Sequence, residues 1–125
     1  MAGSSGSLHE SESVLKPETI DRHRAVVSIM EELEAVDWYD QRIDAARDQE
    51  LKELLAHNRD EEKEHASMML EWLRRRDAKL DEHLRTYLFT NKPLLEIEEE
   101  AEGKNDGGGK ASGGDGSLGI GSLRS

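Results

Sequence analysis

Residues 51–72 read LKELLAHNRDEEKEHASMMLEW, and the spacing of their apolar side chains predicts a long helix. A helix that packs along another helix carries apolar residues at alternating steps of three and four. In this stretch those steps fall on Leu51, Leu55, Asn58, Glu62, His65, Met69 and Trp72. Glu62 and His65 therefore form a Glu-x-x-His pair at positions where the contact between two helices should be apolar.

A second series of this kind lies upstream and contains another acidic residue. It consists of Ala25, Ile29, Glu32, Val36, Tyr39 and Ile43. If the turn between the two helices is centred near Arg47, Glu32 and Glu62 each lie 15 residues from it. At about 1.5 Å of rise per residue, both carboxylates then stand roughly 22 Å from the turn. Because His65 is one turn beyond Glu62 on the same face, the spacing predicts that the three side chains meet.

Two interpretations of these three residues are open on the sequence alone. An unpaired carboxylate between helices costs on the order of several kcal/mol, so it must be neutralised, paired or bound to a metal ion. In the first interpretation all three residues bind metal. Because the chain contains no cysteine, the ligands are oxygen and nitrogen atoms, which suit Fe(II) and also accept Mn, Co or Zn. In the second, Glu32 and His65 form a buried ion pair and Glu62 is solvated, or Arg42 or Arg59 neutralises a carboxylate.

The sequence predicts an all-α fold that one copy of the chain does not complete. Two-metal carboxylate proteins build their site in a four-helix bundle, from a Glu on each of two helices and Glu-x-x-His on each of the other two. This chain supplies half of that set. Only 34% of its residues are hydrophobic, and a two-helix hairpin of this length buries too little surface to be stable alone. We therefore expect an antiparallel two-helix hairpin that dimerises about a twofold axis and so brings six ligands together.

Composition divides the chain into four parts. Residues 1–14 are polar and Ser-rich and are expected to be a flexible arm, whereas residues 15–101 form the helical domain. Residues 102–116 read as a flexible Gly/Ser linker, and residues 117–125 as a terminal peptide in which aliphatic side chains return. Such a peptide either binds a groove of a partner or has no role.

Caps and breaks set the expected ends of the helices within the domain. The first helix is predicted from Pro17 to Ala46, and the second from Gln49 to Arg76 with Asp48 as its N-cap. The segment from Asp77 to Thr90 is either a third helix capped by Asp77 or a continuation of the second. A short acidic helix is predicted from Leu94 to about Ala101.

The charge balance limits the partners. The net charge is −11 and the pI is about 4.9, which argues against binding of nucleic acid or an anionic membrane and favours cations. The N-terminus lacks the apolar core of a signal peptide, and no apolar run is long enough to span a bilayer. We therefore expect a cytoplasmic protein.

Several stretches resemble the encapsulated ferritins. They are residues 31–42 (EELEAVDWYDQR), 56–65 (AHNRDEEKEH), 70–74 (LEWLR) and 83–90 (HLRTYLFT). Residues 119–124 (GIGSLR) resemble the targeting peptide that docks cargo inside encapsulin shells. The similarity is specific in both sequence and spacing, and it covers roughly residues 14–90 and the end of the chain.

The resemblance implies a ferroxidase, which oxidises Fe(II) to Fe(III) with oxygen. It implies half a ferritin-like four-helix bundle, completed by dimerisation, with dimers assembled into an open decameric ring. Glu32, Glu62 and His65 would be the ligands of a di-iron centre formed by both subunits, and Tyr39 would lie beside the metals. The iron would be delivered for mineralisation and storage inside an encapsulin nanocompartment.

Two further clusters each have a functional and a plain interpretation. The first consists of Glu31, Glu34 and Trp38, which share one helix face. It is a solvated acidic face or, as the resemblance implies, a site through which cations reach the ferroxidase ligands. The second consists of His57, Glu61 and Glu64, at i, i+4 and i+7. It is a solvated helix face or a weak surface site for ions such as Ca or Zn.

Two other functions are open on the sequence. The chain could be an acidic coiled-coil adapter whose Glu and His residues only set the register of pairing. It could also be a redox-inert protein that binds Zn or Ca to fix the dimer.

Overall fold

Four α-helices make up the fold in the computed structural model, which describes residues 6–107. They are α1 (Pro17–Ala45), α2 (Gln49–Arg74), α3 (Ala78–Tyr87) and α4 (Leu94–Gly107), preceded by a 3₁₀ turn at Glu12–Val14. No strand occurs in this range, so the predicted all-α fold is confirmed. None of these helices combines the length and the apolar composition that a membrane span requires. The predicted terminal peptide at 117–125 lies outside the described residues, as do residues 1–5 of the predicted arm and 108–116 of the predicted linker.

α1 and α2 form the predicted antiparallel hairpin. Two ion pairs between them show its direction. Arg59 Nη1 lies 3.0 Å from Asp40 Oδ1, and His65 Nδ1 lies 3.6 Å from Glu32 Oε1. Because residue numbers fall along α1 as they rise along α2, the two helices run in opposite directions. The connection between them is residues 46–48, close to the turn that the sequence places near 47.

Side-chain caps fix where α2 and α3 begin. Asp48 Oδ2 accepts a hydrogen bond of 2.9 Å from the backbone N–H of Leu51, and Asp77 Oδ1 accepts one of 2.9 Å from that of Leu80. These bonds satisfy donors that the first turn of a helix leaves unpaired. The cap at Asp77 decides between the two predictions for this segment, because α2 ends at Arg74 and a separate helix follows.

The C-terminal ends of the helices differ from the predicted ones by a few residues. α1 and α2 end one and two residues early. α3 ends at Tyr87 instead of Thr90, because Phe89 adopts a φ of 62°, in the left-handed region that a right-handed helix excludes. α4 continues past Ala101 to Gly107, so residues 102–107 of the predicted flexible linker are helical.

The described helices fall into two compact units that divide between Leu73 and Arg74. The first contains α1 and nearly all of α2, and the second contains α3 and α4, which contact each other. Within the second unit Asp81 pairs with Arg85 and Arg74, and these two cations, Arg85 foremost, lower the pKa of the Asp81 carboxyl. The range 15–101, predicted as one domain, thus contains the division between two units.

The buried core is small. Among the described residues, those that are buried are Ala25, Ala66, Leu73 and Ile97. Most positions of the two predicted series are half-buried, but Leu51 and Asn58 are exposed, because Leu51 lies in the first turn of α2 and Asn58 is polar. Leu33, Leu54 and Met68 are each more than half exposed. One copy of the hairpin therefore leaves much of its apolar surface uncovered.

Replacing Asp48 by alanine should lower the free energy of unfolding by about 1 kcal/mol, because the N–H of Leu51 loses its acceptor. Asp48→Asn should lose far less, since asparagine also caps helices although it removes the same charge. Urea denaturation at one protein concentration, followed by circular dichroism, measures both variants. Equal losses would show that the charge of Asp48, and not its hydrogen bond, stabilises α2.

Candidate metal centre

The hairpin brings Glu32 of α1 together with Glu62 and His65 of α2. One ligand atom from each residue lies within 4.8 Å of the other two. Over residues 6–107, no other group of three His, Asp or Glu side chains converges in this way. The side chains of Glu32 and Glu62 are 23% and 26% exposed, and that of His65 is 42% exposed. The group is therefore partly covered by the hairpin and still reaches the surface of a single chain.

Both carboxylates approach the same nitrogen of His65. Nδ1 lies 3.6 Å from Glu32 Oε1 and 3.7 Å from Glu62 Oε1. The opposite ring nitrogen, Nε2, lies 3.8 Å from Glu61 Oε1. Glu62 thus faces the imidazole as closely as Glu32 does. This arrangement differs from the simple ion pair, in which Glu62 would be solvated.

The group carries an excess of negative charge. When both carboxyl groups are ionised, their two negative charges exceed the single positive charge that a protonated His65 would carry. The pKa of Glu32 is raised above its ordinary value, most of all by its hydrogen bond to Glu62, and further by burial and by the charge of Glu62. The charge of His65 and its hydrogen bond act in the opposite direction. A bound cation would remove the repulsion between the two carboxylates.

The two arginines that could neutralise these carboxylates have other partners. Arg59 pairs with Asp40 at 3.0 Å across the hairpin and with Asp60 at 3.1 Å. Arg42 places its guanidinium over two aromatic rings of α1. In these contacts neither arginine pairs with Glu32 or Glu62. This favours the interpretation in which the carboxylates bind metal over the one in which an arginine neutralises them.

Tyr39 lies farther along α1 than the three converging residues. It is seven residues from Glu32, which corresponds to about 10 Å along the helix axis. The guanidinium of Arg42 lies 5.5 Å from the centre of the Tyr39 ring and 6.0 Å from that of Trp38, within the range of cation–π attraction. The position of Tyr39 beside bound metal stays a prediction.

The two secondary clusters predicted from the sequence differ in whether their side chains contact each other. Glu31 and Trp38 are exposed and Glu34 is half-buried, and their role in cation access stays a prediction. In the other cluster, His57 Nε2 lies 3.8 Å from Glu61 Oε2, while Glu64 is exposed and does not converge with them in the described structure.

Sequence reasoning missed the contact between Glu61 and His65. The sequence groups Glu61 in one surface cluster with His57 and Glu64, although its spacing of four residues from His65 also predicts a contact on the helix surface. In the structure its two carboxylate oxygens face different imidazoles.

Comparison with known proteins places the chain in a family. The profile of the family described as EncFtn-like matches residues 7–91. The chain belongs to this family. It is 66% identical over 129 aligned positions to the "Encapsulated ferritin-like protein" of Rhodospirillum rubrum, covering 99% of this chain and 92% of that protein. It is also 53% identical over 112 positions to the "Ferritin-like protein" of Thermotoga maritima, covering 90% and 93%.

A solved structure extends the comparison to three dimensions. The EncFtn-like chain aligns with the crystal structure of a protein from Nitrosomonas europaea at a TM-score of 0.69 and 59% identity. The alignment covers 70% of this chain and 97% of that one. Family membership supports an iron-related, ferritin-like function, and the donor atoms fit it, because two carboxylates and an imidazole without thiolate suit iron.

Replacing Glu32 by glutamine should stabilise the EncFtn-like chain in the presence of a chelator, most of all at neutral pH. The fold raises the pKa of the Glu32 carboxyl, so the folded state holds this proton more tightly than the unfolded state does. The stabilisation that results is fully present below the ordinary pKa of 4.5 and is lost as the pH rises through the raised pKa. Above that pH the wild-type protein carries the repulsion with Glu62, which the amide removes. We expect a gain of up to about 1 kcal/mol, measured by urea denaturation in EDTA from acidic to neutral pH.

Glu31→Gln is the matched control, because it removes one charge from an exposed neighbouring position of a protein whose net charge is −11. We expect it to give a smaller gain at neutral pH. A Glu32→Gln variant that is less stable than the wild type at neutral pH in EDTA would contradict the repulsion described above.

Proposed function

We propose that the protein is a ferroxidase, which oxidises Fe(II) to Fe(III) with molecular oxygen at a two-iron centre shared by two copies of the chain. The observation that carries the proposal is the convergence of Glu32, Glu62 and His65 within 4.8 Å in a member of the EncFtn-like family. Their oxygen and nitrogen atoms suit iron, and their excess negative charge attracts cations.

A second copy of the chain would complete the ligand set. Two-metal centres in four-helix bundles use four Glu and two His side chains, and one hairpin supplies half of these. A twofold axis beside the site would bring the same three residues from each copy to one place. The partial exposure of all three side chains leaves that approach open.

Exposed apolar side chains near the site support this pairing. Val26, Met30 and Leu33 stand at i, i+4 and i+7 of α1, so they share one face, and they are 43%, 37% and 53% exposed. Met68 lies three residues beyond His65 on α2 and is 57% exposed. Burial of these side chains in a dimer would supply hydrophobic stabilisation that the small core of one hairpin lacks.

Each ligand has a role in the proposed reaction. Glu32 and Glu62 bind the iron and place negative charge beside it, which favours Fe(III) over Fe(II) and eases the loss of one electron per ion to oxygen. Carboxylates can bind through one or two oxygens, so they can change their mode of binding as the ferric product leaves. His65 presents Nδ1 to the same point as the two carboxylates.

The surrounding residues would guide iron to the centre. Glu31 and Glu34 lie one residue before and two residues after Glu32 and add negative charge to this part of α1. We propose that they attract Fe(II) from solvent, with the exposed ring of Trp38 at the same face. Tyr39, below the guanidinium of Arg42, would lie on the side of the centre nearer the hairpin turn.

Storage of the product would take place in an encapsulin shell. The relative from Rhodospirillum rubrum is named as an encapsulated protein, and residues 117–125 of this chain resemble a cargo-docking peptide. By the same resemblance the dimers would assemble into an open decameric ring. Because an open ring cannot enclose mineral, the shell would supply the storage space, as a nanocompartment in the cytoplasm.

Glu62→Ala should slow the oxidation of Fe(II) at least about tenfold, since even changes beside a metal ligand typically cost that much. The measurement loads the protein with Fe(II) without oxygen, adds oxygen, and follows the ferric absorbance. The wild type should oxidise about two irons per dimer in the rapid phase. Glu64→Ala is the matched control, because it removes an exposed carboxylate two residues away, and it should oxidise iron at the wild-type rate.

Several outcomes would contradict the proposal. Unchanged oxidation by Glu62→Ala would exclude the centre, and a wild-type protein that sediments as a monomer when saturated with Fe(II) would exclude a shared site. Absent oxidation with tight binding of Zn or Ca would identify a redox-inert metal-binding protein. Absent metal binding would identify an adapter.

Deleting residues 117–125 should abolish loading into a co-expressed encapsulin shell and leave Fe(II) oxidation unchanged. Changing Leu118, Ile120 and Leu123 to serine in the full chain should do the same, because apolar side chains are what a groove recognises in an extended peptide. Co-purification with the shell measures loading. Loss of both loading and oxidation would contradict a tail that acts separately from the hairpin.

A further inference from the structure

Glu61 lies between two imidazoles on the exposed side of α2. Its Oε1 is 3.8 Å from Nε2 of His65, and its Oε2 is 3.8 Å from Nε2 of His57. The three residues stand at successive intervals of four, so they are neighbours along one face of the helix. The Glu61 carboxylate thus reaches the side of the His65 ring opposite to the one that faces Glu32 and Glu62.

The two nitrogens of His65 must differ if this residue binds a metal ion. A neutral imidazole carries its proton on one nitrogen and a lone pair on the other, and only the lone pair binds metal. Nδ1 faces the two carboxylates of the candidate centre, at 3.6 and 3.7 Å. The lone pair is therefore needed at Nδ1, and the proton at Nε2. A proton at Nε2 requires an acceptor on the side where Glu61 lies.

We infer that Glu61 is a positioning residue for the metal centre: its carboxylate accepts the Nε2 proton of His65 and so holds the lone pair of Nδ1 toward the metal. The inference rests on the proposed function, because it needs His65 to be a ligand. In proteins, a histidine that binds metal usually donates its other N–H to a carboxylate or carbonyl, which fixes the ring and strengthens the ligand.

The Glu61 carboxylate must move closer to His65 before the two can form a hydrogen bond. At 3.8 Å the contact between Glu61 and His65 is an ion-pair distance and longer than a hydrogen bond. Both side chains are partly exposed, at 49% and 42%, so their rotamers have room to close this distance. His57 Nε2 lies 3.8 Å from the second oxygen of Glu61, so that oxygen also faces an imidazole.

Neighbouring charges do not offer the same contact. Lys63 pairs with Asp60 at 3.7 Å, and Glu64 points from an exposed position that does not converge with the site in the described structure. Glu64 is thus a second exposed acidic residue on the same helix that lies outside the converging group, which makes it the matched control. Since Glu61 is exposed, its replacement should leave the fold intact.

The test measures binding of Co(II), which takes the same kinds of ligand as Fe(II). Calorimetric titration gives the affinity, and the visible spectrum of bound Co(II) reports the ligand arrangement. Glu61→Leu, which removes the acceptor, should weaken Co(II) binding about tenfold or more and alter the spectrum. Glu61→Gln keeps an amide oxygen as acceptor and should recover part of the affinity. Glu64→Leu should stay within about twofold of the wild type, as expected of an exposed site.

A background without His65 separates this inference from the proposed function. If His65→Ala binds Co(II) as tightly as the wild type, His65 is not a ligand and the proposed centre fails. If His65→Ala loses binding but Glu61→Leu stays within about twofold of the wild type, only the role of Glu61 is overturned. If both weaken binding, Glu61→Leu should cost nothing further in the His65→Ala background. If Glu61→Leu lowers the Co(II) affinity of the His65→Ala variant as much as it lowers that of the wild type, Glu61 acts through its charge, and the positioning role is overturned.

Discussion

The structure depends on one constraint: two acidic side chains meet where α1 contacts α2. Glu32 and Glu62 come from opposite helices and approach the same nitrogen of His65 at 3.6 and 3.7 Å. The hydrogen bond to Glu62, burial and the charge of Glu62 raise the pKa of the Glu32 carboxyl, so ionisation of both carboxyl groups is disfavoured. A hairpin designed only for stability would place apolar residues at these positions, as the surrounding series does at Ile29 and Val36. The proposed binding of metal explains why this unfavourable arrangement is kept.

The same constraint accounts for how little of the hairpin is buried. Ligands that two copies share must lie at the edge of each copy, and Glu32, Glu62 and His65 are 23%, 26% and 42% exposed. In the proposed dimer, the second copy would cover the exposed apolar side chains beside them, such as Leu33 and Met68. A single chain with a fully closed core would have no surface on which to complete the centre. Incomplete packing and an incomplete ligand set are thus two aspects of one design.

The fold and the three-residue group were predictable because both depend on local rules. Asp48 and Asp77 mark helix starts through a hydrogen bond three residues ahead, and equal distances from the turn place Glu32 opposite Glu62. Helix ends were less predictable, since the left-handed backbone of Phe89 has no strong signature in a non-glycine residue. The contact of Glu61 with His65 is not predicted, because the spacing of Glu61 fits both His57 and His65 and only the side-chain rotamers decide which imidazole each carboxylate oxygen faces.

The ion pair of Asp40 and Arg59 joins the two helices of the hairpin without using the proposed metal ligands. This ion pair of 3.0 Å crosses between α1 and α2 and is partly covered, with Arg59 25% exposed. It joins the two helices by a contact that involves neither Glu32 nor His65, and so supports the register in which the three side chains converge. If the centre is then completed by a second copy, ion binding and dimerisation share one free energy, and each strengthens the other by the same factor. In such a protein the supply of iron would control how much of the chain is associated.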